Sequence, residues 1–460
     1  MIFDSSKNKT ITIAGAGLAG PLAALLLARQ GWQVTAIERR GDPRAGELAG
    51  GRSINLALAE RGLRALAAGG LEANIKPLLI PMRGRLTHSR EGKTELLPYG
   101  QRPQEVIYSV SRAGLNRLLV DAAATTSRVE FLFERTLEDF DPTSSALTLT
   151  DSEGRSETLD AKAVIGADGA GSALRRILVG RGLIETREDM LDHAYKELSI
   201  PPGTDGKHQL EREALHIWPR GGFMLIALPN TDGSFTVTLF LAREAEPGFD
   251  SLATPEAVHE FFAREFPDAL ALMPQLADEF FTNPTGALGT VYAEPWHAGG
   301  NALLIGDAAH AIVPFHGQGM NAAFEDCRLL AERLAPDADV ATVFAEFSRA
   351  RKPDADAIAR MAIENYVEMR DTVRDPGFAL RKELGFALER RCPDRFVPRY
   401  SMVMFHHLPY AKVERRGAIQ RELLLRLTEG KNRLADIDLD AAEHEVARKL
   451  TPLSSYAARP

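Results

Sequence analysis

The chain has 460 residues, of which 45% are hydrophobic and 26% charged, and its formal net charge at pH 7 is −8. These values are ordinary for a soluble globular protein of two or three structural units and exclude a disordered chain, a collagen-like fibre and a disulfide scaffold. The acidic balance argues against a nucleic-acid binder, although a local basic patch stays open at Arg390, Arg391, Arg395 and Arg399.

The uncharged run at 11–28 is long enough, by length alone, for a membrane span or the apolar core of a signal peptide. Three glycines and Pro21 interrupt it, so a strand, a glycine turn and a helix explain it better. We therefore expect a cytoplasmic protein without a membrane segment, either a monomer or a homodimer. Cys327 and Cys392 lack metal-ligand spacing, which predicts structural thiols and no metal site.

The N-terminal part of the chain has the pattern of a β-α-β unit. Residues 10–14 and 33–38 are predicted strands, and a helix is predicted over 18–30, with Gly31 at its end. Further along, helices are predicted at 56–69 and 112–124, and strands at 81–88, 94–99, 129–133, 146–150 and 163–167.

From about residue 190 to 295 strand patterns dominate, which predicts a mostly antiparallel sheet with one helix near 255–265. The predicted strands there are 193–199, 214–218, 222–228 and 234–241. A buried strand at 302–306 and a long helix at 318–334 follow, and residues 340–460 are predicted to be mainly helical.

A glycine motif lies between the first strand and the first helix. Gly15 permits the tight turn, Gly17 lets the backbone approach a pyrophosphate, and Gly20 allows the helix to pack closely. The N-terminus of the helix then offers N–H groups to phosphates. Glu38 ends the second strand, where an acid accepts a hydrogen bond from a ribose hydroxyl and repels a 2′-phosphate. This combination predicts a site for FAD or NAD rather than NADP.

Three later motifs also join strands or turns to helices. The strings at 164–172 (VIGADGAGS) and 304–310 (LIGDAAH) are each compatible with an ordinary turn after a buried strand. Asp307 is the more specific residue, because an acid at a strand end can reach a ribityl hydroxyl. The string at 314–321 (PFHGQGMN) opens a helix, and its glycines, including Gly319, expose N–H groups where reduced flavin carries negative charge.

In this order and spacing, the four motifs resemble those of the class A FAD-dependent aromatic hydroxylases, the para-hydroxybenzoate hydroxylase superfamily. Further strings are similar to those of the members that hydroxylate the aromatic amino acid L-kynurenine, and the resemblance runs from about residue 10 to residue 405. They lie at 51–58, 82–85, 98–100, 215–219, 314–321, 364–369 and 398–402.

The resemblance implies an α/β fold: a Rossmann-like FAD-binding domain with an inserted, mostly antiparallel β-sheet substrate domain and a C-terminal helical region. We expect the FAD-binding domain at 1–75, 111–185 and 299–345. The substrate domain is expected to supply strands at 76–110 and a sheet at 186–298, and the helical region to span 346–460.

The resemblance also implies bound FAD, NADPH as a transient co-substrate, O2, and hydroxylation at ring position 3 through a C4a-hydroperoxyflavin. No second glycine fingerprint follows a strand, so NADPH is expected to bind without a Rossmann domain of its own. Carried over by position, the flavin contacts are Ala19, Glu38, Arg39, Ala57, Arg112, Leu137, Asp307, Met320 and Asn321. The substrate contacts are Arg85, Tyr99, Asn365 and Tyr400.

The substrate residues allow competing interpretations. Arg85 offers a planar fork for a carboxylate, yet strand alternation places Arg83 on the same face, and only the resemblance favours Arg85. Asn365 is an amide within an apolar helical stripe, and a buried amide needs hydrogen-bond partners. It therefore either binds the substrate or is hydrogen-bonded within the protein core. Tyr400 has the same two interpretations. His316 is a contact for the substrate ketone or a packing residue, and no residue is assigned as catalytic.

Three rival functions remain at this point. Another class A monooxygenase would share the flavin motifs and differ in the substrate strings. A flavin-dependent reductase would bind FAD without incorporating oxygen. A non-catalytic flavin-binding or redox-sensing protein has little support, since neither cysteine has an evident resolving partner.

Overall fold

A computed structural model describes residues 9–45, 55–335, 337–370 and 376–453, without the side chains of residues 370 and 376. Residues 51–54 of the string at 51–58 therefore lie outside the described residues. Within the described residues, no helix combines the length and the apolar character that crossing a membrane requires.

The strands and helices are numbered in chain order. The strands are β1 (Thr10–Ala14), β2 (Gln33–Glu38), β3 (Asn55–Leu58), β4 (Ile80–Met82), β5 (Gly84–His88), β6 (Thr94–Pro98), β7 (Ile107–Ser111), β8 (Val129–Phe133), β9 (Arg135–Asp141), β10 (Ala146–Asp151), β11 (Ser156–Asp160), β12 (Val164–Gly166), β13 (Glu185–Ile200), β14 (Leu215–Pro219), β15 (Met224–Pro229), β16 (Phe235–Ala242), β17 (Thr285–Glu294), β18 (His297–Ala298) and β19 (Ala302–Leu304). The α-helices are α1 (Ala19–Arg29), α2 (Glu60–Ala68), α3 (Glu72–Ile75), α4 (Arg112–Ala124), α5 (Ala173–Gly180), α6 (Pro255–Glu265), α7 (Pro267–Leu270), α8 (Leu276–Thr282), α9 (Asp307–His310), α10 (Gly319–Arg333), α11 (Val340–Arg370), α12 (Pro376–Arg391), α13 (Arg399–Phe405), α14 (Tyr410–Thr428) and α15 (Leu439–Lys449).

The chain forms two compact units, each assembled from three chain segments. The first unit comprises Met1–Leu79, Val110–Met190 and Gly289–Ala359. The second unit comprises Ile80–Ser109, Leu191–Leu288 and Arg360–Pro460.

A six-stranded sheet forms the centre of the first unit, in the order β18-β19-β12-β1-β2-β8. All neighbours pair in parallel except β18 and β19, which pair antiparallel. β1 is buried along most of its length, as expected for an inner strand of a parallel sheet. The chain passes from β1 to β2 on one side and later returns to β12 on the other. The carboxyl ends of these three strands therefore border a crevice of the kind that binds ligands in such sheets.

The second unit is built on a seven-stranded sheet in the order β17-β13-β16-β15-β14-β5-β6. Neighbours from β13 to β14 pair antiparallel, and only β5 pairs in parallel with β14. An apolar core joins this sheet to α6, α7 and α8 and includes Trp218, Phe235, Phe261 and Phe266. The predicted mostly antiparallel sheet and its helix near 255–265 are confirmed.

Two predicted elements differ from the structure because tertiary pairing overrides the local pattern. The helix predicted at 56–69 is β3 followed by α2, since the chain up to Leu58 is extended. The single strand predicted at 81–88 is broken at Arg83 into β4, which pairs with β7, and β5, which pairs with β14 and β6.

Three of the strand segments that the sequence analysis missed are rich in polar residues. β11 (SETLD) exposes most of its side chains, β9 (RTLEDFD) buries only Leu137 and Phe140, and both strands contain acidic residues, which are depleted in strands. The same holds for the first half of β13, which begins at Glu185 and not at residue 193. β7 and β17 were also not predicted.

The arginines of the possible basic patch all have partners in the second unit, so the surface there carries charges of both signs and does not favour a nucleic-acid site. Arg390 donates to Gln101, Arg391 to Asp440 and Glu443, Arg395 to the carbonyl of Leu450, and Arg399 to Glu364. Both cysteines, Cys327 and Cys392, are buried and unbridged.

A buried histidine pair links α7 to the sheet of the second unit. His216 is fully buried, its Nε2 lies 2.8 Å from the carbonyl oxygen of Glu211, and its Nδ1 lies 2.9 Å from Nε2 of His88. Nδ1 of His88 lies 2.8 Å from a carboxylate oxygen of Asp268, which also accepts from the indole of Trp218. Burial lowers the pKa of His216 to about 4, so this imidazole is neutral at pH 7.

We expect acidification to destabilise the protein through His216. Below about pH 6.5 the unfolded chain binds a proton at this imidazole that the folded chain does not bind until about pH 4. The free energy of unfolding should therefore fall by up to about 3 kcal/mol between these pH values. In urea denaturation, His216→Gln keeps a donor and an acceptor but does not titrate, so its pH dependence should be flatter. His259→Gln, at an exposed site, is the control; equal slopes for all three proteins would contradict this account.

Candidate functional site

The glycine turn between β1 and α1 is shaped by close backbone packing. Gly15 has φ +101°, and a Cβ there would lie 2.6 Å from the carbonyl oxygen of Ala167. A Cβ on Gly20 would lie 1.8 Å from the carbonyl oxygen of Gly15. Around Gly17, in contrast, no heavy atom of the described residues beyond its two chain neighbours lies within 4 Å of a Cβ position. Two of the glycines are thus required by the protein itself, whereas Gly17 leaves space for something else.

Asn116 on α4 holds this turn in place. Its side-chain Nδ2 donates to the carbonyl oxygens of Ala16, at 2.9 Å, and Gly17, at 2.7 Å. These bonds engage carbonyl oxygens of the turn and none of its N–H groups. The sequence analysis missed Asn116, because a single polar residue within a predicted helix gives no local signal for such a role.

Glu38, at the end of β2, is a buried acid that stays ionised. Its carboxylate accepts hydrogen bonds from the backbone N–H of Ala16 at 2.9 Å and from Nε of Arg40 at 2.8 Å. Burial alone would raise the pKa of Glu38, but the hydrogen bonds from Arg40 and Ala16 outweigh it and hold the pKa below its usual value. A negative charge therefore lies beside the glycine turn.

A cleft of about 480 Å³ opens at the carboxyl ends of the strands in the first unit. The predicted flavin residues that line it are Gly15, Gly17, Ala19, Glu38, Arg39, Arg112, Leu137, Asp307 and Met320. The sequence analysis missed other polar lining residues, namely Arg40, Arg135, Thr136, Glu138 and Arg176. Five arginines on its walls make the cleft suited to a ligand that carries phosphates.

Four predicted flavin residues, Gly20, Ala57, Gly319 and Asn321, are not among the described residues that line the cleft. Gly20 packs against Gly15, as described above. Asn321 is fully buried, and its amide binds the backbone of β3 and of the turn before α10, donating to Ala57 and Gly317 and accepting from Ala59. The structure thus places Asn321 and Ala57 against each other.

Asp307 presents a carboxylate to the cleft from the first residue of α9. Burial raises the pKa of Asp307, and the positive charges of His310 and Arg112 oppose that shift. Among the described residues, no donor is hydrogen-bonded to this carboxylate, so it can accept hydrogen bonds from a ligand's hydroxyl groups. Asp168, in the second predicted motif, has a different role: it accepts from the N–H groups of Ala173 and Leu174 at the start of α5.

His316 lies in the first unit, at the end of the 3-10 turn Pro314–His316. Its side chain is buried, and the next residue, Gly317, adopts a left-handed conformation with φ +63°. The two interpretations of His316, a contact for the substrate ketone and a packing residue, both stay predictions.

The second unit brings three of the predicted substrate residues together. The rings of Tyr99 and Tyr400 stack with centroids 5.3 Å apart. The guanidinium carbon of Arg85 lies 5.1 Å from the centre of the Tyr400 ring and 5.9 Å from that of Tyr99. Glu368 on α11 approaches Nη1 of Arg85 at 3.8 Å. We call these four residues the Arg85 cluster.

Arg83 takes no part in this cluster. It lies at the break between β4 and β5, its side chain is 55% exposed, and its Nε donates to Glu213 at 2.6 Å. The Arg85 side chain is only 13% exposed. The sequence analysis treated the two arginines as competing candidates for the substrate carboxylate because it placed them on one face of a continuous strand. The structure shows that they do not share such a face.

The protonation states of the Arg85 cluster suit an anionic ligand. Burial raises the pKa of Tyr99 and of Tyr400, although Arg85 opposes the shift, so both phenols keep the proton that they can donate. Lys382 on α12, which the sequence analysis missed, is electrostatically coupled to Arg85 and Glu368. Burial lowers the pKa of Lys382 to about 8, with a contribution from Arg85.

Asn365 lies on α11, one turn before Glu368, and is buried. Its amide nitrogen lies 3.4 Å from the sulfur of Met369. The apolar residues that define its stripe, Ile358, Met361, Ala362 and Met369, are all buried as predicted. Because residues three apart share a helix face, Asn365 and Glu368 point to the same side of α11.

Comparison with known proteins agrees with these features. Residues 8–361 match the family model described as an FAD binding domain. A kynurenine 3-monooxygenase from Stenotrophomonas maltophilia (strain K279a) is 49% identical over 448 residues, which cover 97% of this chain and 98% of that protein. A kynurenine 3-monooxygenase from Xanthomonas axonopodis pv. citri (strain 306) is 49% identical over 447 residues, with 97% and 98% covered.

Solved structures share the fold at lower identity. The tetrameric form of 2-methyl-3-hydroxypyridine-5-carboxylic acid oxygenase matches with a TM-score of 0.64 and 21% identity, covering 81% of this chain and 95% of that one. PqsL, a probable FAD-dependent monooxygenase from Pseudomonas aeruginosa, matches with a TM-score of 0.64 and 21% identity, covering 80% and 99%. These likenesses confirm the predicted fold class.

Proposed function

Because the chain belongs to the FAD-binding monooxygenase family that includes the kynurenine 3-monooxygenases, it is an FAD-dependent aromatic monooxygenase, and we propose that its substrate is L-kynurenine. The proposed reaction consumes NADPH and O2 and yields 3-hydroxy-L-kynurenine. The observation that supports this substrate is the Arg85 cluster, in which a largely buried guanidinium lies beside two protonated phenols and one carboxylate.

The cleft of the first unit fits FAD, the cofactor of this family. Gly17 leaves open space where a diphosphate can approach the backbone, and the arginines of the cleft supply positive charge. We propose that the ionised Glu38 accepts from the adenosine ribose and that Asp307 accepts from the ribityl chain. Both carboxylates line the cleft, and no donor among the described residues is hydrogen-bonded to that of Asp307, so its oxygens can accept from a ligand.

When bound, FAD supplies the redox chemistry, taking electrons from NADPH and activating oxygen. The negative charge of Glu38 disfavours a 2′-phosphate beside the glycine turn, so we propose that NADPH binds elsewhere. The protein's part is to hold the flavin, to orient the substrate ring and to exclude water.

The Arg85 cluster matches the amino-acid end of kynurenine group by group. The guanidinium of Arg85 can bind the substrate carboxylate with two parallel hydrogen bonds, and the hydroxyl groups of Tyr99 and Tyr400 can add two more. Glu368 can pair with the α-ammonium group, since it is the acid next to Arg85. Lys382 adds a second positive charge below about pH 8.

No general base is required of the cluster. The aromatic amine of kynurenine already makes the neighbouring ring carbon electron-rich, so the ring needs orientation rather than proton removal. Arg85, Tyr99 and Tyr400 are accordingly proposed as binding residues. Asn365, on the same helix face as Glu368, is proposed as a further polar contact for the substrate, and His316 as a contact for its ketone.

The proposal is tested by adding L-kynurenine to the purified holoenzyme with NADPH in air, while NADPH oxidation, product mass and peroxide are followed together. We expect kynurenine to stimulate oxidation and the product to contain one added oxygen atom. Stimulated oxidation that yields only peroxide would indicate a different aromatic substrate. No stimulation would contradict the proposal and leave only the flavin-binding function in place.

A further inference from the structure

One carboxylate holds both ends of the short helix that presents Asp307. Asp326 lies on α10 and is fully buried. Its Oδ2 accepts from the backbone N–H of Gly306, just before α9, at 3.1 Å. The same oxygen lies 2.6 Å from Nε2 of His310, the last residue of α9. Asp307 is the first residue of α9, between these two attachment points.

The backbone before α9 depends on this support. Gly306 has φ +55° and ψ −141°, a conformation that is readily available only to glycine. A Cβ at this position would lie 2.9 Å from the Cβ of Ala323 on α10, so the turn also packs tightly against that helix. The hydrogen bond from the Gly306 N–H to Asp326 fixes the backbone where its conformation is least favourable.

Asp326 also pairs with an arginine that has no part in the turn. Its Oδ1 accepts from Nε of Arg351 at 2.9 Å, and Arg351 also pairs with Glu325 at 3.1 Å. Burial alone would raise the pKa of Asp326, but the charges of His310 and Arg351 outweigh it and lower the pKa. Arg61 pairs with Glu325 at 2.6 Å, so each of the two buried acids pairs with an arginine.

We propose that Asp326 is a positioning residue for flavin binding, which acts through Gly306 and His310 to hold the carboxylate of Asp307 toward the cleft. The proposal rests on the proposed contact between Asp307 and the ribityl chain. Without the two bonds to Asp326, α9 can shift, and Asp307 then no longer meets the hydroxyl groups at hydrogen-bond distance. FAD affinity should fall even though Asp326 itself does not line the cleft.

The experiment measures the dissociation constant of FAD by fluorescence titration of the apoprotein, together with the melting temperature of the same apoprotein. We expect Asp326→Asn to weaken FAD binding about tenfold or more, which corresponds to the loss of one hydrogen bond to a charged group. Glu325→Gln is the matched control, because Glu325 is the adjacent buried acid and also pairs with Arg351 but does not contact Gly306 or His310. It should lower the melting temperature while changing FAD affinity less than about twofold.

A second pair of variants keeps the proposal testable if Asp326→Asn fails to fold. His310→Ala should weaken FAD binding, and His310→Gln, whose amide can again donate to Asp326, should restore most of the affinity. The proposal is overturned if both His310 variants bind FAD like the wild type, or if Glu325→Gln weakens binding as much as Asp326→Asn. Asp307→Ala distinguishes the proposed contact between Asp307 and FAD from the proposed positioning role of Asp326. If Asp307→Ala binds FAD with unchanged affinity, the contact itself is refuted. If Asp307→Ala weakens FAD binding but Asp326→Asn does not, only the positioning role is refuted.

Discussion

Replacing Arg85 by methionine should weaken substrate binding about 100-fold or more, while the protein keeps its FAD. Methionine retains much of the apolar stem of arginine but removes its charge and its hydrogen-bond donors. The substrate carboxylate would therefore lose its charged partner in a largely buried site, which costs much binding free energy. Glu368, which lies 3.8 Å from Arg85, would then repel the substrate carboxylate in addition. Calorimetric titration with L-kynurenine gives the affinity, and the flavin absorbance of the same sample gives the FAD content.

Arg83→Met is the matched control for this experiment. Arg83 lies two residues earlier, carries the same charge and is paired with Glu213 at the surface. Its removal should change substrate affinity less than about threefold, in line with the small energy of exposed ion pairs. Loss of affinity in Arg83→Met with normal binding in Arg85→Met would reverse the assignment. Normal binding in both variants would place the carboxylate elsewhere.

Gly17→Ala should lower FAD affinity about tenfold to 100-fold without lowering the stability of the apoprotein. Apart from residue 17 itself and its two chain neighbours, no heavy atom of the described residues lies within 4 Å of the added methyl group, so the fold can accept it. The methyl group would instead occupy the space that we assign to the diphosphate. The dissociation constant of FAD and the melting temperature of the apoprotein are the two measurements.

Two further glycine variants separate crowding of the ligand from crowding of the protein. Gly20→Ala places its Cβ 1.8 Å from the carbonyl oxygen of Gly15, so this variant should destabilise the apoprotein itself. Gly180→Ala, at the end of α5, likewise meets no neighbouring side chain within 4 Å but does not line the cleft, so it should leave FAD affinity unchanged and should not lower the melting temperature. If Gly17→Ala bound FAD like Gly180→Ala, the diphosphate would not lie at this turn.

The features that the sequence predicted well depend on residues that are close together in the chain. The turn from Gly15 to Gly20 and the strand end at Glu38 form one local β-α-β unit, whose spacing determines the geometry. Asp307 was identifiable for the same reason, since a buried strand, a glycine and an acid follow each other directly. Each of these residues lines the cleft, with the exception of Gly20, which packs beneath it.

The features that were missed depend on contacts between distant parts of the chain. Asn116 reaches the glycine turn across about 100 residues, and Lys382 joins Arg85 from a helix almost 300 residues later. No local pattern distinguishes these two residues from other polar side chains on helices. The break at Arg83 is similar, because it arises from the different partners of β4 and β5 and not from the sequence at the break.

The order of strands in the central sheet has a consequence for the newly synthesised protein. β12 pairs with β1 on one side and with β19 on the other, but β19 ends only at Leu304. A ribosome that adds about 5–20 residues per second takes roughly 7–30 seconds from the end of β12 to the end of β19. During that interval one apolar edge of β12 lacks its permanent neighbour. Asp307 and Met320, which line the cleft, leave the ribosome later still, so the complete cleft that we propose for FAD forms only late in synthesis.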